Sequence, residues 1–168
     1  MKKLWWLLLL TIPMSIYSVK VFTAKPQTAQ VQPQYETIPV KENPPTVEEL
    51  FKLVNEERAK VGVKPLILDP RLNKSAQEKA DELVKEGWDS TPHVNNAGKH
   101  GYQLIGEVAP ECKVGSENLA TQITSKRIVD SWNDSPKHKE AMSNQNFTIT
   151  GFGIAKAKYT YYTTEHFC

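Results

Sequence analysis

The sequence predicts an α+β fold: a three-layer α–β–α sandwich with a small antiparallel sheet, following an N-terminal export segment and a proline-rich linker. Three observations lead to this prediction. Helical apolar stripes and capping signals recur after residue 46, and β-branched and aromatic residues alternate near the C-terminus. The first 45 residues instead consist of an apolar run and a proline-rich stretch, so they are excluded from the folded domain.

Residues 1–24 have the pattern of an export signal. Lys2 and Lys3 precede an uncharged, mostly apolar run of 16 residues at positions 4–19. Such a run directs the following chain across a membrane while the lysines stay on the cytoplasmic side. A poorly formed cleavage site near Ala24 leaves two alternatives open, a cleaved signal peptide and an uncleaved signal anchor. Both predict an extracellular or cell-surface protein that contacts the membrane only through this segment.

Residues 25–45 are predicted to be a disordered linker. They hold five prolines with Gln and Thr, and too few large apolar side chains to offset the entropy of ordering.

Residues 1–45 carry a net charge of +3 and residues 46–168 a net charge of −1. The domain at 46–168 is therefore nearly neutral. It lacks the clustered basic charge of a nucleic-acid-binding protein, so no nucleic-acid partner is expected.

Helix signals follow one another along the first part of the domain. A capping box, Thr46-Val-Glu-Glu49, opens a first helix, and Gly62 stands where a helix-terminating glycine is expected. Asp69-Pro70 opens a second helix, which Gly87 ends. Residues 88–115 show no period and contain several glycines and prolines, so they are predicted to form a long irregular loop, a kind of segment that is often functional.

The second part of the domain is predicted to hold two more helices and a hairpin. One helix fits residues 124–134, and Ser135-Pro136 caps and starts a short one. The stretches 147–155 and 158–167 are rich in β-branched and aromatic residues, which predicts two antiparallel strands joined by a short turn.

Three candidate functional residues come from three separate segments. His93 lies in the long loop, Glu117 at its end, and His138 on the short helix. If the fold brings them together, two imidazoles and a carboxylate suit either a divalent metal site or general acid–base chemistry. The alternative is that they are solvated side chains with no shared role. Of the other histidines, His100 is predicted to be exposed and His166 to be structural.

The two cysteines, Cys112 and Cys168, are predicted to form a disulfide, because an exported chain meets an oxidising environment. The bond would close a loop of about 57 residues and stabilise the fold by about 4 kcal/mol. The alternative, a nucleophilic Cys112, has only Lys113 as a positively charged neighbour in the sequence.

Several motifs together resemble the CAP superfamily of cysteine-rich secretory proteins, antigen 5 and pathogenesis-related 1 proteins, in its bacterial-type secreted (SCP-like) form. Each motif alone is weakly specific, whereas their order and spacing across residues 46–168 are specific. The matching segments are Val54-Asn-Glu-Glu-Arg58, Gly62-Val-Lys-Pro-Leu66, the helix from Leu72 to Leu83, His93 to Gly98, Ser116-Glu-Asn-Leu119, Trp132-Asn-Asp-Ser-Pro-Lys-His138 and Gly151-Phe-Gly153.

The resemblance implies the family's α–β–α sandwich and a cavity formed by two histidines and two glutamates, which binds zinc or another divalent cation in some members. His93 and His138 match the two histidines, and Glu117 matches one glutamate. Ser135 replaces the second glutamate, and Ser116 replaces the glycine before Glu117.

The cavity predicted on this basis comprises five residues, namely His93, Glu117, Asn118, Ser135 and His138. No cofactor is required, although zinc is possible at His93, Glu117 and His138. A fourth carboxylate would have to come from Glu107 or Glu165.

Two functions are consistent with the resemblance. The favoured one is a secreted or surface-tethered binding module without catalysis, whose partner is a small apolar or lipid ligand or a component of the cell wall or extracellular space. The alternative is a metal-dependent, peptidase-like hydrolase in which Glu117 acts with His93 and His138. No residue is placed by the sequence as a nucleophile with its own base.

Overall fold

Residues 43–88 and 92–168, which the computed structural model describes, form five helices and four strands. The α+β fold is confirmed. Residues 1–42, with the predicted export signal and most of the linker, lie outside the described residues, as do residues 89–91. In chain order the elements are α1 (Val47–Lys60), β1 (Ile67–Leu68), α2 (Pro70–Glu86), α3 (Gly101–Val108), β2 (Ser116–Gln122), α4 (Ser125–Asp134), α5 (Pro136–Ser143), β3 (Ile149–Lys156) and β4 (Tyr161–Phe167).

The predicted helix ends are confirmed by the capping contacts. The Thr46 hydroxyl accepts a hydrogen bond from the backbone N–H of Glu49, and the Asp69 carboxylate accepts one from the N–H of Arg71. Gly62 follows α1 with a φ of +73°, a backbone conformation that favours glycine. Within the described residues, none of the helices has the length and apolar character needed to span a bilayer.

The four strands form one sheet in the order β1-β3-β4-β2. The predicted hairpin is confirmed as β3 and β4, which pair antiparallel. The sheet is mixed rather than wholly antiparallel, because the two-residue β1 pairs parallel with β3. In the antiparallel pairing of β2 with β4, Glu117 lies opposite His166. This register places the side chains of those two residues on one face of the sheet.

The prediction of an irregular loop over 88–115 is wrong for residues 101–108, which form α3. Gly101 and Gly106 are among the glycines that favour a loop in the sequence, but both lie in α3 and neither has a positive φ. The strand β2 was not predicted, since its sequence, Ser-Glu-Asn-Leu-Ala-Thr-Gln, has few strand-favouring residues. Its conformation comes from pairing with β4.

Helices cover both faces of the sheet. On one face, α1, α4 and α5 enclose the main apolar core, in which Trp132 is fully buried and its indole N–H donates to the Leu119 carbonyl. On the other face, α2 lies directly against β3. A Cβ added at Gly151 or Gly153 would come within 2.2 Å of the α2 backbone, so this close approach requires glycine at both positions.

Arg58 ties α1 to the segment that leads from α5 into β3. Its side chain is buried, and it donates hydrogen bonds to four backbone carbonyls at 2.7–3.0 Å. Those acceptors belong to Lys64, Met142, Asn144 and Phe147. The guanidinium therefore satisfies carbonyls that no helix or strand pairs, and it fixes the start of β3.

The predicted disulfide between Cys112 and Cys168 is confirmed, with the two Cα atoms 5.5 Å apart. It joins the connection between α3 and β2 to the residue that follows β4. Both sulfurs are engaged in this bond, so the alternative of a nucleophilic Cys112 is wrong.

Glu165 is fully buried on the core face of β4. The Thr150 hydroxyl lies 3.0 Å from Glu165 Oε1 and also 3.0 Å from the His166 carbonyl oxygen. One hydroxyl proton cannot serve two acceptors, so both contacts are satisfied when Glu165 is protonated and donates to Thr150. Burial raises the pKa of Glu165 well above its ordinary 4.5, against the smaller opposing effects of Thr150 and the Arg58 charge.

The raised pKa of Glu165 predicts a specific dependence of stability on pH. The folded protein keeps a proton that the unfolded chain releases, so this contribution is complete below about pH 4.5 and is lost as the pH rises through the folded-state pKa. Glu165→Gln introduces a neutral side chain that can donate a hydrogen bond to Thr150 at any pH. This variant should therefore not show the loss of stability with rising pH that Glu165 causes. The measurement is urea unfolding of both proteins from about pH 4.5 to about pH 9, the range that buried carboxyl groups reach.

The control for this comparison is Glu140→Gln, which changes an exposed glutamate on α5. It should keep the wild-type dependence on pH. Identical pH dependences for the wild type and Glu165→Gln would show that Glu165 is ionised in the folded protein.

Candidate functional site

The carboxylate of Glu117 is held at both of its oxygens by imidazoles. His93 Nδ1 lies 2.8 Å from Oε1, and His166 Nε2 lies 2.9 Å from Oε2. An ionised carboxylate only accepts hydrogen bonds, so both of these ring nitrogens carry a proton and donate. The Glu117 side chain is 4% exposed and His166 is fully buried, whereas the His93 side chain is 47% exposed. The site therefore runs from the interior of the domain to its surface.

Two opposing effects act on the ionisation of Glu117. Burial removes water from the carboxylate and acts to raise its pKa. The hydrogen bonds and charges of His166 and His93 outweigh that effect, so the pKa of Glu117 lies below its ordinary 4.5. Glu117 is consequently a buried carboxylate that stays ionised at neutral pH.

His93 is positioned by the segment that follows α2. The ammonium group of Lys79, a buried residue of α2, donates to the Val94 carbonyl at 3.2 Å and pairs with Glu82 at 3.3 Å. Glu82 in turn accepts a hydrogen bond from the backbone N–H of Asn96. These contacts fix residues 94–96 against α2, and they bring the neighbouring His93 ring to Glu117.

Gly101, the first residue of α3, lies directly against the Glu117 side chain. A Cβ at this position would come within 2.6 Å of Glu117 Cδ and 2.8 Å of its Cβ. Only glycine therefore leaves room for the carboxylate beside the start of α3. That end of a helix also favours a nearby negative charge.

An open cleft of about 170 Å³ lies over Glu117. The His100 and Tyr102 rings stack at its side, with centroids 5.5 Å apart and planes 13° from parallel. His100 is exposed, as predicted, and it is the N-cap residue that directly precedes α3. The residues that line the cleft are His93, His100, Gly101, Tyr102, Gly115, Ser116 and Glu117.

The other three predicted cavity residues, Asn118, Ser135 and His138, are not part of the lining of this cleft. Asn118 faces away from Glu117 on β2, and its buried amide donates to the His138 carbonyl at 3.1 Å. Desolvation lowers the pKa of His138, and the charge of the neighbouring His93 lowers it further. Ser135 lies at the junction of α4 and α5, where its backbone N–H donates to the Trp132 carbonyl. The structure thus joins His93 to Glu117 directly, whereas His138 is held through its backbone carbonyl by Asn118.

The arrangement does not fit the zinc site that the resemblance made possible at His93, Glu117 and His138. In the described part of the chain, no three His, Cys, Asp or Glu side chains are grouped as metal ligands are. Both carboxylate oxygens of Glu117 already accept hydrogen bonds from imidazoles. The two carboxylates considered as a fourth ligand lie elsewhere, since Glu165 faces the core and Glu107 pairs with Lys99. We therefore assign no chemical step to a metal.

Three residues of the site were missed by sequence reasoning. The sequence predicts a structural role for His166 and a loop position for Gly101, and it carries no signal for Ser75. Ser75 Oγ lies 2.8 Å from His166 Nδ1, so a chain of contacts leads from α2 to Glu117. The available signal was the alternation along β4, which places His166 on the face opposite Glu165. The register with β2 was needed to connect it to Glu117.

The family model of the cysteine-rich secretory proteins (CAP) matches residues 51–168, and the chain belongs to this family. The predicted resemblance is thereby confirmed. Among curated proteins, the chain is 29% identical over 109 residues to the uncharacterized protein YkwD of Bacillus subtilis, and 33% identical over 95 residues to an uncharacterized protein of Borreliella burgdorferi. These matches cover 64% and 56% of this chain, and 42% and 59% of the relatives.

Solved structures show the same fold. An outer surface protein from Borrelia burgdorferi is 27% identical, with a TM-score of 0.64 over 71% of this chain and 89% of that one. An extracellular protein with an SCP domain from Bacillus anthracis is 21% identical, with a TM-score of 0.62 over 72% of this chain and 39% of that one. The second likeness establishes the fold alone.

The contact between Gly101 and Glu117 predicts different outcomes for two glycines of the same helix. Gly101→Ala should displace the Glu117 side chain and destabilise the protein by about 1–3 kcal/mol, the usual effect of overpacking. Gly106→Ala meets no atom within 4 Å and should stabilise by about 0.4–1 kcal/mol. Denaturant unfolding measures both variants. Equal effects at the two positions would contradict the packing described for Gly101.

Proposed function

We propose that this protein is an extracellular or surface-tethered binding module without catalysis, and that its cleft takes a small polar group of a cell-envelope glycan. The proposal is supported by membership of the family and by the similarity to an outer surface protein. The observation that carries it is an ionised carboxylate beneath an open cleft beside two stacked rings.

The size of the cleft favours an envelope component over a lipid. Pockets that enclose drug-sized or sterol-sized molecules have volumes of about 300–1,000 Å³ and mainly apolar walls. The cleft over Glu117 has about 170 Å³ and is lined by histidine, serine and glycine together with one tyrosine. A single sugar ring or its N-acetyl group suits this volume, whereas a sterol does not.

The chemistry of the lining also suits a sugar. The stacked His100 and Tyr102 rings offer an aromatic surface for the apolar face of a pyranose ring. The exposed edge of His93 offers a hydrogen-bond partner for hydroxyl and amide groups, and the Glu117 charge beneath it favours groups that donate. An N-acetylated glycan supplies all of these groups.

One observation favours the alternative of a hydrolase. With Nδ1 bonded to Glu117, His93 turns Nε2 away from the carboxylate, which is the orientation of a general base. Ser75 continues the chain of contacts as a serine–histidine–glutamate set, but it is only 2% exposed, so it cannot meet a substrate. A hydrolase at this cleft would have to use water as the nucleophile.

The proposal predicts weak, saturable binding of a soluble muropeptide, with a Kd of about 0.1–1 mM, followed by NMR chemical-shift changes. Tyr102→Ala should weaken binding about two- to tenfold through loss of stacking, and Glu117→Gln should weaken it through loss of charge. Tyr159→Ala is the matched control, because Tyr159 is 80% exposed in the turn between β3 and β4. It should leave the Kd unchanged.

Each other outcome has a distinct meaning. Equal Kd values for the wild type, Tyr102→Ala and Glu117→Gln would place binding elsewhere. Saturable binding of a fatty acid or a sterol at these residues, without glycan binding, would support the lipid alternative. Cleavage of the muropeptide, abolished by Glu117→Gln, would establish a hydrolase.

A further inference from the structure

A buried chain of polar groups leads to the cleft from α2. Ser75 Oγ lies 2.8 Å from His166 Nδ1, and His166 Nε2 lies 2.9 Å from Glu117 Oε2. The other oxygen, Oε1, lies 2.8 Å from His93 Nδ1. Ser75 and His166 are both buried, so neither contacts a ligand directly. They act on the cleft only through Glu117.

The chain of contacts is not a nucleophilic triad, although it contains the same three residue types. In a catalytic triad the serine bonds to Nε2 and the carboxylate to Nδ1. Here the two nitrogens are exchanged, and the serine is inside the protein. The role left for Ser75 and His166 is to orient the Glu117 carboxylate.

The Ser75 hydroxyl satisfies His166 in either protonation state. Neutral His166 that donates from Nε2 to Glu117 leaves a lone pair on Nδ1, to which the hydroxyl donates. Protonated His166 donates from Nδ1 to the hydroxyl oxygen, and the hydroxyl then donates to the Leu72 carbonyl at 3.2 Å. In both states Nε2 carries the proton and holds Glu117 in place.

We propose that His166, oriented by Ser75, is a positioning residue that fixes the Glu117 carboxylate and, through it, the Nδ1–H tautomer of His93. His93 then presents the lone pair of Nε2 to the cleft beside a fixed negative charge. Such a site selects ligand groups that donate hydrogen bonds, namely hydroxyl, amide N–H or ammonium groups, and it disfavours phosphates and carboxylates. The inference rests on the proposed function for its ligand, but not for the tautomers.

The tautomers can be read without a ligand by long-range ¹H–¹⁵N NMR spectra of the ¹⁵N-labelled protein. In the neutral rings, we expect a proton on Nδ1 of His93 and on Nε2 of His166. His166→Leu should shift His93 towards the mixture of tautomers that a solvated imidazole shows. His166→Gln keeps an N–H donor for Glu117 and should restore the wild-type state of His93. Ser75→Ala removes the hydroxyl partner of His166 Nδ1 and should shift the Nδ1 resonance of His166, while Nε2 keeps its proton.

The matched control for Ser75 is Ser131→Ala. Ser131 makes the same local bond, from its hydroxyl to the carbonyl three residues earlier, at 2.7 Å, but on α4. It should leave both histidines unchanged. If His166→Leu does not fold, the other two variants still test the proposal. Ser75→Ala removes only one hydroxyl group, and His166→Gln keeps a polar side chain at the buried position.

The outcomes separate this inference from the proposed function. A wild-type His93 that carries its proton on Nε2, or a His166 that is unaffected by Ser75→Ala, would overturn the positioning role. The expected tautomers in a protein that binds no muropeptide would support the positioning role and contradict the proposed ligand. If phosphate ions compete for the cleft as well as an amino sugar does, the predicted preference for donors is wrong.

Discussion

The cleft depends on a buried carboxylate that must remain ionised. Taking a charge out of water is costly unless hydrogen-bonding partners replace the lost hydration. Glu117 obtains one partner from each direction, His166 from the neighbouring strand and His93 from the segment after α2. The rest of the site follows from that requirement. The register of β2 with β4 sets the first partner, Lys79 anchors the segment that carries the second, and Gly101 leaves the space between them.

Two glutamates of the same sheet have pKa values shifted in opposite directions. Glu117 faces two imidazoles and has a lowered pKa, whereas Glu165, next to His166 on β4, faces the core and has a raised one. Because successive residues of a strand point to opposite faces, one strand supplies the partner of the ionised carboxylate and also carries the protonated one. The charged group is thereby confined to the face that opens to the cleft. The core face keeps a neutral acid beside Thr150.

The parts of the fold that were predictable are those encoded locally. Capping residues such as Thr46 and Asp69 define helix ends within a few positions, and the alternating C-terminal residues define the hairpin. The structure places the two candidates His93 and Glu117 in contact, while their functional role stays a prediction. The strand β2 and the role of His166 were not predictable, because both arise from pairing between residues 49 positions apart. The motif match with His138 identified a neighbour of His93 but not a residue that lines the cleft.

The central claim is that two imidazoles keep the buried Glu117 carboxylate ionised. The most direct measurement is a pH titration of its side-chain carboxyl carbon by ¹³C NMR in the folded wild-type protein. We expect a midpoint below the ordinary 4.5, because the hydrogen bonds and charges of His166 and His93 outweigh desolvation. A midpoint at or above 4.5 would show that burial dominates, and it would contradict the described electrostatics of the cleft.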